Sequence, residues 1–264
     1  MLYKFSGAGN DFVVLDGRRA DVSAFRTPQR IGELCRAYRT DGLMMLVDAP
    51  DADFGMEFYN PDGSGGMMCG NGGRCIVAFA DHLGLVPADG AVYRFAAPDG
   101  LHRAEILERP SASAGGCWTV RLQMIDVNVC RPCKDGWFLN TGTRHFVRFV
   151  DDVDGIDMER EARPLRRDAE FAPEGTNVNF VQATPEGLRV RTFEKGVEGE
   201  TLACGTGLTA SALAAWRSGL RPAEDAAGRI SYRLQCRRGD WLTVDFLPDF
   251  TSVRLTGPAE LINP

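Results

Sequence analysis

Cys69-Gly70-Asn71-Gly72-Gly73-Arg74-Cys75 opens a helical segment that closes at Gly84-Leu85, and Cys204-Gly205-Thr206-Gly207-Leu208-Thr209-Ala210 opens another that closes at Gly219-Leu220. Both run 15 residues from cysteine to closing glycine, and an offset of 135, close to half of the 264-residue chain, superimposes them. Six of the 17 aligned positions are identical, where composition alone gives roughly one or two. Each segment follows an alternating strand and a turn: Met56-Glu57-Phe58-Tyr59-Asn60 before the first, Val190-Arg191-Thr192-Phe193-Glu194 before the second. Self-similarity at this scale predicts two related lobes.

Period-two alternation dominates the rest of the chain. Val120, Leu122 and Met124, then Ile230, Tyr232 and Leu234, then Leu242, Val244 and Phe246, each alternate with mostly polar neighbours, as half-buried strands do. Helical periodicity is clearest over about 74–83 and about 206–217. Pro110-Ser111-Ala112-Ser113-Ala114-Gly115-Gly116 reads as a linker, and Arg163 to Thr176, with Pro164 and Pro173 inside it, reads as a loop. Many strands with few helices predict an α+β fold of two pseudo-symmetric lobes, each a curved, mostly antiparallel or mixed sheet around a central helix. The expected division is an N-terminal lobe over 1–115 carrying Cys69, completed by a C-terminal strand over 253–264, and a C-terminal lobe over 116–252 carrying Cys204.

Composition narrows the function classes. Hydrophobic residues at 44% and charged residues at 25% are ordinary for a globular chain. A net charge of −6 argues against a nucleic-acid partner, and no apolar run reaches the roughly 18 residues of a membrane span. The opening Met1–Gly7 has neither the basic nor the apolar region of a secretion signal, so the expected location is cytoplasmic. The eight cysteines are then expected as thiols. Cys130-Arg131-Pro132-Cys133 is a single C-x-x-C without a second pair or a following helical pattern, and is read as incidental, at a turn. His82, His102 and His145 lack metal-ligand spacing, so no metal is expected.

A cysteine just before Gly-x-Gly and a helix sits among unpaired N–H groups at the positive end of the helix dipole. That setting is expected to lower a thiol from about 8.5 toward neutrality. The glycines let backbone N–H groups approach a carboxylate or phosphate. One such turn suits a nucleophile or an anion cradle. Two related by pseudo-symmetry suit thiols that face each other across a cleft, one removing a proton from a carbon and the other returning one to its opposite face. The helix N-termini would hold the charge developing on an adjoining carboxylate. This is racemase or epimerase chemistry on an amino acid, and no cofactor is required: no lysine lies in a recognisable pyridoxal phosphate setting. The bland alternative is that both cysteines are buried helix-start residues that merely pack.

These residues carry a family resemblance. Met68–Cys75, Glu200–Gly207 and the start Gly7-Ala8-Gly9-Asn10-Asp11-Phe12-Val13-Val14 are similar to signatures of the diaminopimelate epimerase family. Asn60-Pro61-Asp62-Gly63-Ser64, Thr176-Asn177-Val178-Asn179-Phe180 and Glu194-Lys195-Gly196 follow in the family's order. The resemblance implies a homodimer, with a site between the lobes, that interconverts LL- and meso-2,6-diaminopimelate for lysine and peptidoglycan synthesis. It implies Cys69 and Cys204 as acid/base thiols, with the amides of Gly70, Asn71, Gly205 and Thr206 holding the reacting carboxylate. Asn10, Asn60 and Asn177 resemble substrate-holding side chains. Glu194 resembles the acid beside the substrate ammonium, and His145 a histidine near the thiols. Taken alone, Asn10 and Asn60 read as turn residues.

Three departures from the pattern bear on the far end of the substrate. Lys195 stands where the family usually has Arg, keeping the charge but losing the two-point fork. Thr143-Arg144-His145 replaces Asn-Pro-His, exchanging a substrate-contacting amide for the Thr143 hydroxyl and raising the expectation that Arg144 supplies the missing guanidinium. Glu194–Glu200 is one residue longer than the commoner spacing. The alternative readings are a cofactor-independent racemase of proline or another amino acid on the same scaffold, a silent binder of an anionic metabolite, and a cysteine hydrolase.

Overall fold

The computed structural model describes residues 1–18, 21–66, 68–111, 116–222 and 227–262. It divides into two units, Met1–Gln123 with Thr256–Pro264, and Met124–Leu255. No helix among the described residues is long and apolar enough to cross a membrane.

The first unit runs β1 (Leu2–Gly7), β2 (Asn10–Asp16), α1 (Pro28–Tyr38), β3 (Gly42–Val47), β4 (Phe54–Tyr59), α2 (Gly70–His82), β5 (Val92–Ala97), β6 (Gly100–Glu108) and β7 (Cys117–Gln123). Antiparallel β1 and β2 place Phe5 opposite Phe12. The α1 crossover makes β3 parallel to β2, and the α2 crossover makes β5 parallel to β4. The Thr27 hydroxyl accepts from Arg30 N, and Pro28 occupies the first turn of α1, where its missing N–H costs nothing. Ile31, Leu34 and Cys35 face inward with Val13, Leu15, Leu43 and Met45. In α2 every residue from Gly70 to Ala80 is buried, Asn71 and Arg74 included, and the helix packs against β1, β2, β3, β6 and β7.

The second unit repeats this order with β8 (Cys130–Cys133), β9 (Gly136–Asn140), β10 (Arg144–Phe149), α3 (Met158–Arg166), β11 (Asn177–Thr184), β12 (Gly187–Glu194), β13 (Gly199–Thr201), α4 (Gly205–Arg217), β14 (Ile230–Gln235) and β15 (Trp241–Phe246). Here β10–β11 is the parallel pair crossed by α3, and β12–β14 the parallel pair crossed by α4. The repeat therefore extends from the cysteine helices to the whole β-α-β-β-α-β order. Tyr59 and Glu194, the last residues of β4 and β12, are again 135 apart. α4 packs against β9–β12, β14 and β15, while α3 covers the other side of the sheet, with Met158 and Ala162 on Phe138, Phe146, Phe171 and Phe180. β16 (Arg254–Ile262) returns to the first unit, where it lies between β1 and β7 and closes the ring of strands around α2.

Three expectations need correction. The lobe boundary falls after Gln123, not at 115/116, because β7 hydrogen-bonds to β6 with Leu122 opposite Ala104; of the expected linker, 112–115 lie outside the described residues. The segment from Arg163 to Thr176 is not all loop. It begins inside α3 and carries a 3-10 turn over Ala169–Phe171. The Asp157 cap, acidic residues in the first turn and arginines in the last support α3, and Pro164 falls in its final turn, where it removes little. Cys130-Arg131-Pro132-Cys133 is strand β8, and the turn follows it at Lys134, where φ is +52.

Candidate active site

In the first unit, Cys69, an exposed residue, is the N-cap of α2 (φ −110°, ψ 154°), and its Sγ accepts from Gly72 N at 3.3 Å. Gly7 has no room for a side chain, since a Cβ would lie 2.7 Å from Asn71 O, so glycine there lets β1 close on the first turn of α2. Asn71 is 4% exposed and donates to Asn10 Oδ1 at 2.5 Å. Its own Oδ1 accepts from Arg74 Nη2 at 3.1 Å, and Arg74, fully buried, also donates to Gly70 O at 3.0 Å and Pro258 O at 3.2 Å. Asn10 and the Asp11 N–H both meet Asp41 Oδ2. Asn60 is held in its own turn: its amide donates to Ser64 Oγ at 3.0 Å.

In the second unit Cys204 is the N-cap of α4, without a side-chain capping bond. Thr206 Oγ1 lies 3.5 Å from Cys204 Sγ, 3.0 Å from His145 Nε2 and 3.2 Å from Thr143 Oγ1. Thr141 Oγ1 donates to Thr206 O at 3.0 Å, fixing the first turn of α4 against the end of β9. His145 is fully buried, and its ring is oriented by Asn179. Phe146 O can only accept, so the Asn179 Nδ2 that reaches it at 3.0 Å is the donor, and the same nitrogen meets His145 Nδ1 at 3.0 Å. Nδ1 is thus the acceptor and Nε2 carries the proton. Thr192 Oγ1 donates to Asn179 Oδ1 at 2.9 Å and completes the amide. A Cβ on Gly207 would lie 2.5 Å from that Oδ1, so glycine is what lets α4 start against β11 and β12. Asn177 spans Arg144 O at 3.0 Å and Lys195 N at 2.8 Å.

Burial pushes His145 down to about 3, so it is a neutral imidazole near pH 7. Burial, aided by the nearby Glu194 carboxylate, pushes the Cys204 thiol well above the usual thiol range, against the Thr206 hydroxyl and the Gly207 N–H. The helix N-terminus was expected to lower this thiol; desolvation outweighs it, because Cys204 is 8% exposed. Burial also raises the Glu194 carboxyl, opposed by the Thr201 hydroxyl 2.5 Å from Oε1. Among the described residues no three His, Cys, Asp or Glu side chains gather as a metal site would.

A family model described as diaminopimelate epimerase matches residues 2–109 and 137–231. The chain belongs to the diaminopimelate epimerase family. It is therefore an isomerase. The diaminopimelate epimerase of Chlorobaculum tepidum is 38% identical over 266 residues, which cover 97% of each chain. That of Flavobacterium psychrophilum is 38% identical over 268 residues, covering 99% of this chain and 97% of its own. Among solved structures, a phenazine biosynthesis protein of the PhzF family from Bacillus anthracis aligns with a TM-score of 0.74 at 12% identity, over 99% of this chain and 96% of that one. A probable proline racemase from Agrobacterium radiobacter aligns with a TM-score of 0.65 at 17% identity, over 100% and 92%. Likeness at that identity speaks for the fold, α+β with a large sheet and few helices.

Within this diaminopimelate epimerase framework, Cys204, Thr206, Thr143, His145, Asn177 and Glu194 lie in one hydrogen-bonded neighbourhood around the start of α4, and Cys69, Gly70, Asn71 and Asn10 in another around the start of α2. Arg144 does not join the first. Its guanidinium pairs with Glu174 and covers the Phe138 ring at 5.2 Å, on the α3 side of the strand opposite His145. Lys195 is exposed, and its ammonium makes no ion pair among the described residues. Asn179, Thr192, Arg74 and the Thr206 hydroxyl were missed from sequence. The available signal was period-two: Asn179 shares a strand face with Asn177, and a polar side chain inside the buried run Asn177–Val181 needs a partner.

Proposed function

We propose that this protein interconverts LL- and meso-2,6-diaminopimelate by two-thiol proton transfer at the α-carbon. The observation that carries the reading is that Cys69 and Cys204 cap equivalent helices of two repeated units yet sit in opposite surroundings. Cys69 is an exposed residue whose Sγ accepts an N–H. Cys204 Sγ is buried beside a carboxylate. The scheme needs one sulfur to start as thiolate and the other as thiol, and burial favours the thiol form of Cys204. The α-C–H bond breaks as a proton moves to one sulfur, and the other sulfur's proton forms the new C–H bond on the opposite face. The two sulfurs finish with their protonation exchanged, ready for the reverse reaction. The charge that develops toward the α-carboxylate is held by the N–H groups of Gly70 and Asn71, and of Gly205 and Thr206. As Cys204 becomes thiolate, the Thr206 hydroxyl turns its proton to the sulfur and accepts in turn from His145 Nε2. Asn10, Asn60, Thr143 and Asn177 bind the polar groups of the substrate, Glu194 its ammonium, and Lys195 its distal carboxylate.

This scheme needs no pyridoxal phosphate and belongs to a cytoplasmic homodimer. Proton NMR of the reduced protein in D₂O with each stereoisomer tests it, beside Cys69→Ser and Cys204→Ser. Loss of the α-proton signal with interconversion, sharply cut in both variants, is the expected result. Exchange of another amino acid, proline included, with none of diaminopimelate would overturn the substrate and keep the chemistry. No exchange of any amino acid would overturn both.

A further inference from the structure

The turn between β12 and β13, which follows Glu194 and carries Lys195, is gripped from outside by one helix. Three arginines of the α3 end converge on Glu198. Arg166 donates to Glu198 Oε1 from Nη2 at 2.8 Å and from Nε at 3.1 Å. Arg167 Nη2 reaches Oε2 at 3.2 Å, and Arg163 Nη2 reaches the Glu198 backbone oxygen at 3.2 Å. Gly196 N also donates to Oε1, at 3.3 Å, so the carboxylate ties the turn to itself as well as to the helix. The Arg166 side chain is only 12% exposed, which separates this pair from an ordinary surface bridge.

Two further features show that the grip is built in. Glu198 has φ +57°, a left-handed conformation that favours glycine, yet a glutamate occupies it. Gly175, at φ +70°, has no room for a side chain because a Cβ would lie 2.0 Å from Arg166 Nη1, and Thr176 N donates to Arg166 O at 3.2 Å. The last turn of α3 therefore contacts both the segment that leads into Asn177 and the turn that follows Glu194. Those two segments are themselves joined by Lys195 N donating to Asn177 Oδ1 at 2.8 Å.

We infer that Arg166 and Glu198 form a positioning clasp that sets this turn, and through it the Lys195 ammonium, for the distal carboxylate of the substrate. The inference rests on the diaminopimelate reading above. The Arg166 fork on Glu198 supplies the turn with a rigidity that the flexible lysine stem lacks. Arg166 and Glu198 touch no reacting atom, so the effect belongs in substrate affinity and not in the proton-transfer step.

The test uses Glu198→Gly and Glu198→Gln in the full chain. Glu198→Gly removes the carboxylate while relieving the left-handed backbone, so the fold is retained and only the grip is lost. The readouts are amide hydrogen exchange at Lys195, thermal midpoint, and KM and kcat for α-proton exchange of meso-diaminopimelate. Expected for Glu198→Gly are at least about tenfold faster exchange at Lys195, KM raised about fivefold or more, and kcat within about twofold, with an unchanged or higher midpoint. Glu198→Gln, which keeps an acceptor oxygen but no charge, falls between. Unchanged Lys195 exchange, or KM within about twofold of the parent in both variants, overturns the clasp. A parent that exchanges no diaminopimelate α-proton overturns the functional reading and the clasp's substrate role with it.

Discussion

His145 reaches Cys204 through a hydroxyl: Thr206 Oγ1 stands 3.0 Å from the imidazole Nε2 and 3.5 Å from the cysteine Sγ. Asn179 occupies Nδ1, so Nε2 is the donor, within reach of both the Thr143 and the Thr206 hydroxyl; once Cys204 is a thiolate, donors can run from imidazole to the Thr206 hydroxyl to sulfur. Such an array stabilises a thiolate without the histidine ever becoming charged.

Thr206→Val removes the donor to sulfur while keeping shape. A hydrogen bond to a charged group contributes about 1.5–3 kcal/mol, so kcat for α-proton exchange is expected to fall roughly ten- to a hundredfold, with Thr206→Ser restoring most of it. Equal rates in parent and Thr206→Val would show that the hydroxyl does not serve the sulfur.

Glu194→Gln changes the pH profile. After burial, the Glu194 carboxylate is the leading cause that holds the Cys204 thiol above its ordinary range. Replacing it with a neutral amide lowers that thiol, so Cys204 loses its proton at lower pH. In the direction that needs Cys204 as the acid, the high-pH limb of kcat is expected to move to lower pH. A limb that stays put or moves up would contradict the coupling.

His145 makes stability pH-dependent. Its folded value of about 3 lies below the ordinary 6.5, so below pH 6.5 the unfolded chain takes up a proton that the folded one refuses. Stability from this group is complete above 6.5 and is lost as pH falls toward 3. Between pH 7.5 and pH 5 the loss is about 2 kcal/mol. Denaturant unfolding of parent and His145→Gln at the two values checks it: the parent should lose about 2 kcal/mol more than the variant.

Gly207→Ala and Gly84→Ala separate packing from backbone strain. At Gly207 a Cβ meets Asn179 Oδ1 at 2.5 Å and Thr192 Oγ1 at 3.1 Å, so the amide that orients His145 must move. Overpacking there costs about 1–3 kcal/mol, and kcat should fall with it. Gly84 has φ +78° and open space around it, so alanine costs about 1–2 kcal/mol of stability through the backbone alone and kcat is unchanged. Unfolding midpoints and kcat measured together distinguish the two.

Lys195→Arg restores the planar fork. KM for diaminopimelate is expected to fall about three- to tenfold with kcat little changed, as a point charge becomes a two-point contact. An unchanged or higher KM would place the distal carboxylate elsewhere.

Much of this was legible because the cysteine helices carry their own instructions. Cys69 and Cys204 as caps, the glycines behind them and the closing Gly84 and Gly219, both with positive φ, are local requirements of starting and stopping a helix. α3 was obscured because Pro164 and Pro173 are local signals too, and the burial of Met158, Ala162 and Phe171 that sustains the helix and the turn after it is not local. Arg144 looked like a candidate because it adjoins His145 in sequence, but neighbours on a strand face opposite sides.

The sequence by itself determined the two-fold repeat, the family and the thiol pair, since these rest on residue identity and spacing along the chain. Only the tertiary structure decided that Cys204 is held as a thiol, that His145 is neutral, and that Arg144 turns away. Protonation depends on how much water and which charges surround a group, and strands from distant parts of the chain set both.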